Sequence, residues 1–395
     1  MDLLSPVLFT DSWGSHIFLA SLQGRPIPSA EPESELWMGA HEAGPAALTR
    51  SGRATTLLDL VQADPEAELG PDCRRRFGDR LPFLLKILAP GRAISIQVHP
   101  RAEQARAERA RSGSAIYVDD WAKPELLLAI STFDVFIGMR RHEEVTAVAQ
   151  RLRVPRFTDV VRATAGANRP EHALLEAILA TPPEEVADFA REVVAACVLL
   201  EVDEGDLGRA AAALVAVAED HPDDIGLVVL LLMHHHVLAP GEYLDVAAGV
   251  LHSYVRGLGI EVLANSDNVV RAGLTAKEVN TAELLRIVDP GARVAPAVGV
   301  ERVPGVVEFA STSDRFRLNR ISPGRALPQT VGPRIVLCFS GRVVLTHRGE
   351  RLTLRDLESA FLPAGTGEVN LTGDGEVFCV LVPEESSNSA LPSGP

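Results

Sequence analysis

Gln97 and His99 stand two residues apart in Gly91-Arg-Ala-Ile-Ser-Ile-Gln-Val-His-Pro100. On an extended strand alternate side chains leave the same face, so an amide oxygen and an imidazole nitrogen come out side by side and can share a metal ion. A second histidine closes Gly241-Glu-Tyr-Leu-Asp-Val-Ala-Ala-Gly-Val-Leu-His252, which reads as a strand, a glycine turn and the start of another strand. A single histidine is more often a satisfied core or surface residue than a ligand. The joint spacing, the turn glycines and the order of the two stretches favour metal binding.

Together the two stretches resemble the paired motifs of the cupin superfamily, in which a Gly-x5-His-x-His strand faces a Gly-x5-Pro-x-Gly-x2-His hairpin across a small barrel. Here Gln97 replaces the first histidine and Ala247 the proline. Cupins also supply a carboxylate, and Glu125, which opens the apolar run after Lys123-Pro124, is the candidate. One amide oxygen, one carboxylate and two imidazoles suit a borderline divalent ion such as zinc. His234-His235-His236 looks more like a metal box, but it ends an apolar, helix-like run where consecutive side chains diverge. It is expected to be a solvated helix end. The later hairpin signal Pro363-Ala-Gly-Thr-Gly-Glu368 offers Glu368 where a cupin places its histidine, which predicts a metal-free second barrel.

The elements that must position these residues follow from hydrophobic spacing. The chain has 395 residues and 46% hydrophobic content, enough for two or three structural units. Up to about residue 140, glycine and proline punctuate short apolar runs such as PFLLKILA and AISIQVH, as in β structure with a few helices. From His142 to about Met233, apolar residues recur at helical spacing in HALLEAILA, VADFAREVVAACVLL and RAAAALVAVAED, and Thr181-Pro-Pro-Glu184 is a helix start. Strand character returns after Pro240-Gly241, and from about Ala295 a last block reads as short strands broken by glycine turns. The expected fold is mainly β with a helical insertion: two cupin-type (jelly-roll) β-barrels plus an α-helical domain. Residues 1–140 with 238–294 would form the catalytic barrel, 141–237 the insertion and 295–388 the metal-free barrel, with a disordered tail over 389–395.

A formal net charge of -15 disfavours any general grip on nucleic acid or an anionic membrane, so an anionic substrate must meet a local cluster of Lys and Arg. The four cysteines are scattered without Cys-x-x-Cys, and three lie in apolar runs, as buried reduced thiols do. With no leader-like N-terminus and no apolar run near about 20 residues, a cytoplasmic protein is expected. No obligate protein partner is evident.

Over nearly its whole length the sequence resembles the type I phosphomannose isomerases. The segments that carry the resemblance are Trp13-Gly-Ser15, Glu35-Leu-Trp-Met-Gly-Ala-His41, PFLLKIL with Lys86, Ser95-Ile-Gln-Val-His-Pro100, Lys123-Pro-Glu125, and the long Gly259-Ile-Glu-Val-Leu-Ala-Asn-Ser-Asp-Asn-Val-Val-Arg-Ala-Gly-Leu-Thr275. The resemblance implies one zinc ion per chain held by Gln97, His99, Glu125 and His252. It also implies interconversion of D-mannose 6-phosphate and D-fructose 6-phosphate through an enediolate, with Arg271 catalytic and Glu261 close to the sugar. Many relatives carry Asn-His where this chain has Trp121-Ala122, so a histidine sometimes assigned acid–base work is absent.

Moving a carbonyl from C1 to C2 needs a base and a stabiliser of negative charge. Arg271 can stabilise that charge or clamp the phosphate. Glu261 can shuttle the proton, or serve as an ion-pair partner of Arg256 or Arg271. Lys86, Ser95, Lys123 and Lys277 can hold the phosphate or assist ring opening, and Trp13 and Tyr254 complete the expected substrate-binding set. The basic run Arg101, Arg106, Arg109 and Arg111 reads as a solvated helix face that could also guide an anion. Two rival readings are an iron-dependent cupin oxygenase and a sugar-sensing protein with a retained metal site.

Overall fold

The computed structural model describes residues 1–112, 116–200, 205–277 and 279–384. The expected tail at 389–395 lies outside the described residues. Three antiparallel sheets and a block of helices stack as layers. The central seven-stranded sheet runs in the order Ala297–Val298, Glu242–Val246, Glu125–Ala129, Gly259–Ala264, Phe83–Leu88, Glu35–Met38, Val7–Phe9. Facing it, a five-stranded sheet runs Met233–Leu238, Phe133–Met139, His252–Arg256, Ile96–Val98, Val270–Gly273. Among the described residues, hydrogen bonding closes none of the sheets on itself.

Alternation assigns each face of these strands to a different core. Leu127, Leu244 and Val246 of the seven-stranded sheet meet Phe133, Val135 and Ile137 of the five-stranded one. The opposite face of the seven-stranded sheet, with Leu85, Ile87, Leu126 and Val262, packs on Leu318, Leu337, Phe361 and Phe378 of the C-terminal sheet. Strands Phe83–Leu88, Glu125–Ala129 and Gly259–Ala264 are therefore buried on both sides, which is why they read as unbroken apolar runs. Each fully buried Leu or Val contributes about 1.5–3 kcal/mol. The chain's first strand, Asp2–Ser5, pairs with Ser359–Leu362, so the beginning of the chain completes the C-terminal sheet. The four cysteines are buried and unpaired.

The helices interrupt a hairpin. Phe133–Met139 and Met233–Leu238 pair antiparallel, and the helices from His142–Leu152 through Gly226–Leu230 lie between them in sequence. Proline opens Pro155–Thr164, Pro170–Leu179 and Pro183–Leu200, where its missing N–H costs nothing. The outer face of the five-stranded sheet, with Val98, Phe136 and Val270, packs under this block.

One expectation needs correction. His234, His235 and His236 do not end a helix; they sit within strand Met233–Leu238, so strand structure resumes before Pro240-Gly241. The last helix stops at Leu230, and the next residues take up the free hydrogen-bonding edge of Phe133–Met139. The side chain of His235 is buried against Phe136, with Nε2 3.2 Å from Asp134 Oδ1.

The helical block also touches the strand that carries Arg271. Gly273, at φ 149°, meets Gly226 so closely that an added Cβ would lie 2.5 Å from Gly226 Cα. Gly273→Ala should destabilise the fold by about 1–3 kcal/mol through overpacking and backbone strain. Denaturant unfolding checks this, and an unchanged midpoint would show that the contact gives way freely.

Candidate active site

Register decides which side chains share a face. Gln97 lies opposite both His252 and Arg271, so these three leave one surface of the five-stranded sheet. On the seven-stranded sheet Glu261 lies opposite Lys86, and Lys86 opposite Trp37. Glu125, opposite Leu263, falls on the same face as Glu261. The two polar surfaces confront each other across a cavity of about 820 Å3, beyond the apolar plug around Phe133 and Leu127.

At the cavity floor His99, Glu125 and His252 form the one group of three metal-binding residue types that converges among the described residues, with their donor atoms all within 4.8 Å of one another. His99 Nδ1 donates to Asn268 O at 2.7 Å, and His252 Nδ1 donates to Val250 O at 3.0 Å. A carbonyl can only accept, so the neutral rings carry their protons on Nδ1 and keep Nε2 bare. The bare Nε2 atoms point at the same carboxylate, 3.1 Å from Glu125 Oε1 and 3.3 Å from Glu125 Oε2 respectively. Burial, followed by the Lys123 charge, pushes the pKa of His99 down to about 4, so its ring is neutral at physiological pH. Burial would raise the pKa of Glu125, but the Lys123 charge beside it works the other way and the carboxyl stays ionised, its pKa well below the ordinary value.

His99 Nε2 is a buried polar atom without a hydrogen-bond partner. Lone pairs from two imidazoles and a carboxylate face each other with no hydrogen between them, an arrangement that calls for a cation. The donor set therefore fits a divalent metal. Gln97 lines the same cavity, where its Nε2 donates to Ser95 Oγ at 3.1 Å.

Around this centre stand the other expected residues. Lys123 Nζ lies 3.2 Å from Glu125 Oε1, and the Tyr254 hydroxyl donates to Glu125 Oε2 at 3.3 Å. Trp13, Ser95, Arg271 and Lys277 line the cavity as well. Arg271 has no carboxylate partner among the described residues, so its charge is free for an anion. Of the twelve residues expected to bind the metal or the substrate or to act in catalysis, only His99 is absent from the cavity lining; it sits behind the floor.

Two roles change. Glu261 pairs with neither Arg256 nor Arg271; its partner is Lys86, 3.5 Å away. Lys86 in turn lies 2.9 Å from Glu35 Oε1 and is buried, so carboxylates on two strands meet its charge. Burial opposes its charge, but Glu35 and Glu261 outweigh that and raise its pKa above the ordinary value. Glu35 was overlooked as a site residue, although a lysine inside PFLLKIL demands a buried acid. Trp37 Nε1 holds the other oxygen of Glu35 at 2.7 Å. Asp267, another cavity residue that was overlooked, lies 3.2 Å from His41 Nε2. The basic run does not reach the cavity: Arg101 pairs with Asp289 at 2.7 Å, and Arg109 donates to Tyr117 O and Val118 O. Trp121 is buried between Arg80 and Arg315, with their guanidinium carbons 3.4 and 4.0 Å from its ring centroid.

A polar site between two facing antiparallel sheets, built from a Gln-x-His strand and a glycine-turn histidine, defines a metal-binding enzyme of the cupin class. Residues 3–142 match the family model of the phosphomannose isomerase type I catalytic domain, and residues 321–382 match that of the mannose-6-phosphate isomerase cupin domain. Mannose-6-phosphate isomerases of Escherichia coli K12 and Salmonella typhimurium are 30% and 31% identical, each match covering 93% of this chain and 95% of the relative. A crystal structure of mannose 6-phosphate isomerase bound with zinc and yttrium superposes with a TM-score of 0.86 at 28% identity, covering 97% of this chain and 100% of that one. The chain belongs to the mannose-6-phosphate isomerase family.

Metal analysis tests the ligand assignment: His99→Ala and His252→Ala should each lose most bound zinc, while His234→Asn with His236→Asn should keep it. Full zinc in the first two variants, or loss in the last, would contradict the geometry. A second test uses pH. Burial, reinforced by the Glu125 charge, raises the pKa of Glu261 from 4.5 to about 7 in the metal-free protein. A raised folded-state pKa favours the fold below the unfolded value, and that contribution is lost as pH rises through the folded one. Relative to Glu261→Gln, the metal-free wild type should therefore lose stability between pH 4.5 and about 7 and level off above it. A pH-independent difference in unfolding free energy would show that Glu261 ionises normally.

Proposed function

We propose that the chain interconverts D-mannose 6-phosphate and D-fructose 6-phosphate, with one zinc ion held by Gln97, His99, Glu125 and His252. The observation that carries this reading is the bare pair of imidazole nitrogens on an ionised, buried carboxylate, set at the floor of a cavity that also holds an arginine with no carboxylate partner among the described residues. Family membership supports the substrate, and the facing sheets support an open jelly roll of the cupin kind, with a second, metal-free one formed by the C-terminal strands. Zinc would supply Lewis acidity towards the sugar oxygens at C1 and C2.

The chain's own residues do the rest. Glu261, kept near the middle of the pH scale by burial, takes the proton from C2 of the open-chain aldose and returns it to C1, while the hydroxyl proton passes from O2 to O1 and the carbonyl moves from C1 to C2. Lys86, protonated between Glu35 and Glu261, holds the Glu261 carboxylate in place. Arg271 stabilises the enediolate oxygens, a charge present only between the two proton transfers. Lys123 restrains Glu125 and faces the same space, and Ser95 and Lys277, which line the cavity, hold the phosphate in this reading. Trp13 and Tyr254 wall the sugar from water.

The experiment is a coupled isomerase assay with mannose 6-phosphate, run with and without a chelator, together with exchange of the substrate C2 proton in deuterium oxide. Wild type should turn over and exchange, the chelated protein should do neither, and zinc-loaded Glu261→Gln should bind substrate without exchange. Arg271→Lys, which keeps the charge but loses the planar fork, should lower kcat by at least about tenfold with little change in KM. Normal exchange in Glu261→Gln would remove it from the base role. A change confined to KM would assign Arg271 to the phosphate.

A further inference from the structure

We propose that Asn268 is a positioning residue that ties together two of the three chain segments bearing the metal ligands, those of His99 and Glu125, and so sets how tightly the centre holds zinc. This rests on the reading of His99, Glu125 and His252 as ligands. Asn268 is 1% exposed and directs its side chain away from the centre that its backbone serves. Its carbonyl oxygen fixes His99 through Nδ1 at 2.7 Å. Its side-chain amide grips residues 118–121, the stretch that leads into Lys123 and Glu125. There Nδ2 donates to Asp119 O at 3.0 Å, Asp119 Oδ1 at 2.9 Å and Trp121 O at 2.9 Å, while Oδ1 accepts from Val118 N at 3.0 Å and Asp119 N at 3.3 Å.

Both hydrogens and both lone pairs of the amide are thus used, and no other side chain of this size supplies that combination. Asp119 reinforces the knot, since Oδ1 also accepts from Trp121 N at 2.8 Å and from the Ser266 hydroxyl at 3.0 Å. The other side of the segment is anchored by Trp121 between Arg80 and Arg315. Only three residues separate Trp121 from Glu125, and Pro124 stiffens the last of them. A shift at residues 119–121 therefore moves the carboxylate relative to His99, although neither Asn268 nor Asp119 offers a side-chain atom to the metal.

Partners that orient metal ligands are worth about 10–100-fold in affinity. Asn268→Asp would set a carboxylate against three oxygens, and Asp119→Ala would remove an acceptor from three donors at a partly exposed position. Zinc affinity is read by competition with a chromophoric chelator, and the melting temperature of each metal-free variant is recorded alongside. His99→Ala serves as a ligand reference, and Leu214→Ala, in the core of the helical block, as a variant that weakens the fold only. The dissociation constant should rise about 10–100-fold in Asn268→Asp and about tenfold in Asp119→Ala, with a change under about threefold in Leu214→Ala despite its lower melting temperature. Should Asn268→Asp fail to fold, Asp119→Ala decides. Affinity within about threefold of wild type in the variants that fold, or an equal loss in Leu214→Ala, overturns the proposal. Wild-type zinc binding in His99→Ala would instead bring down the ligand reading, and the proposal with it.

Discussion

Two imidazole nitrogens stripped of their protons and one ionised carboxylate, all on buried side chains, meet at the floor of the cavity, and the rest of the molecule serves that meeting. Left alone, the arrangement is unfavourable: three electron-rich groups crowd together at a cost of several kcal/mol per buried unsatisfied charge or polar atom. It persists because the backbone leaves the rings no alternative. Asn268 O and Val250 O take the Nδ1 protons, and the register of Gln97 against His252 and Arg271 fixes which side chains face the cavity. A cation converts that cost into binding energy.

The same bookkeeping of buried charge explains the neighbouring residues. Lys123 and Tyr254 lie against Glu125, and Lys86 lies between Glu35 and Glu261, so each buried carboxylate has a donor at hand. Glu261 is the least compensated of them, because the negative Glu125 and Glu35 nearby act against its ionisation. That imbalance leaves one carboxylate able to gain and lose a proton near neutral pH, while Glu125 stays charged. The apolar plug of Phe133, Val135 and Leu127 keeps the far end of the same inter-sheet space dry, so the polar residues are confined to one end.

Much of this was legible in the sequence because it rests on local spacing. The alternation of Gln97 and His99, the glycine turn before His252 and the acid at the head of an apolar strand are short-range patterns, and the structure brings them to one cavity. The helical block was legible from periodicity and from the prolines at its helix starts. What the sequence hid depends on partners far away along the chain. His234–His236 reads as a helix end because it follows the apolar run of the preceding helix; it lies in a strand because Phe133–Met139, about a hundred residues earlier, offers an edge. The pairing of Lys86 with Glu35, and the placing of Asp2–Ser5 in the C-terminal sheet, are likewise long-range register effects that no local pattern encodes. Trp121-Ala122, a departure from the pattern of many relatives, proves to face the outer sheet through its tryptophan, stacked between two arginines rather than lining the cavity.

The central claim, that the bare nitrogens of His99 and His252 and the carboxylate of Glu125 await one divalent ion, is tested most directly by crystals of the zinc-loaded protein and an anomalous difference map at the zinc edge. The account predicts a single strong peak about 2.0–2.2 Å from His99 Nε2, His252 Nε2 and a Glu125 oxygen, with the Gln97 amide oxygen turned towards it. A peak at His234 and His236, or anywhere else with the His99–Glu125–His252 space left vacant, would contradict it.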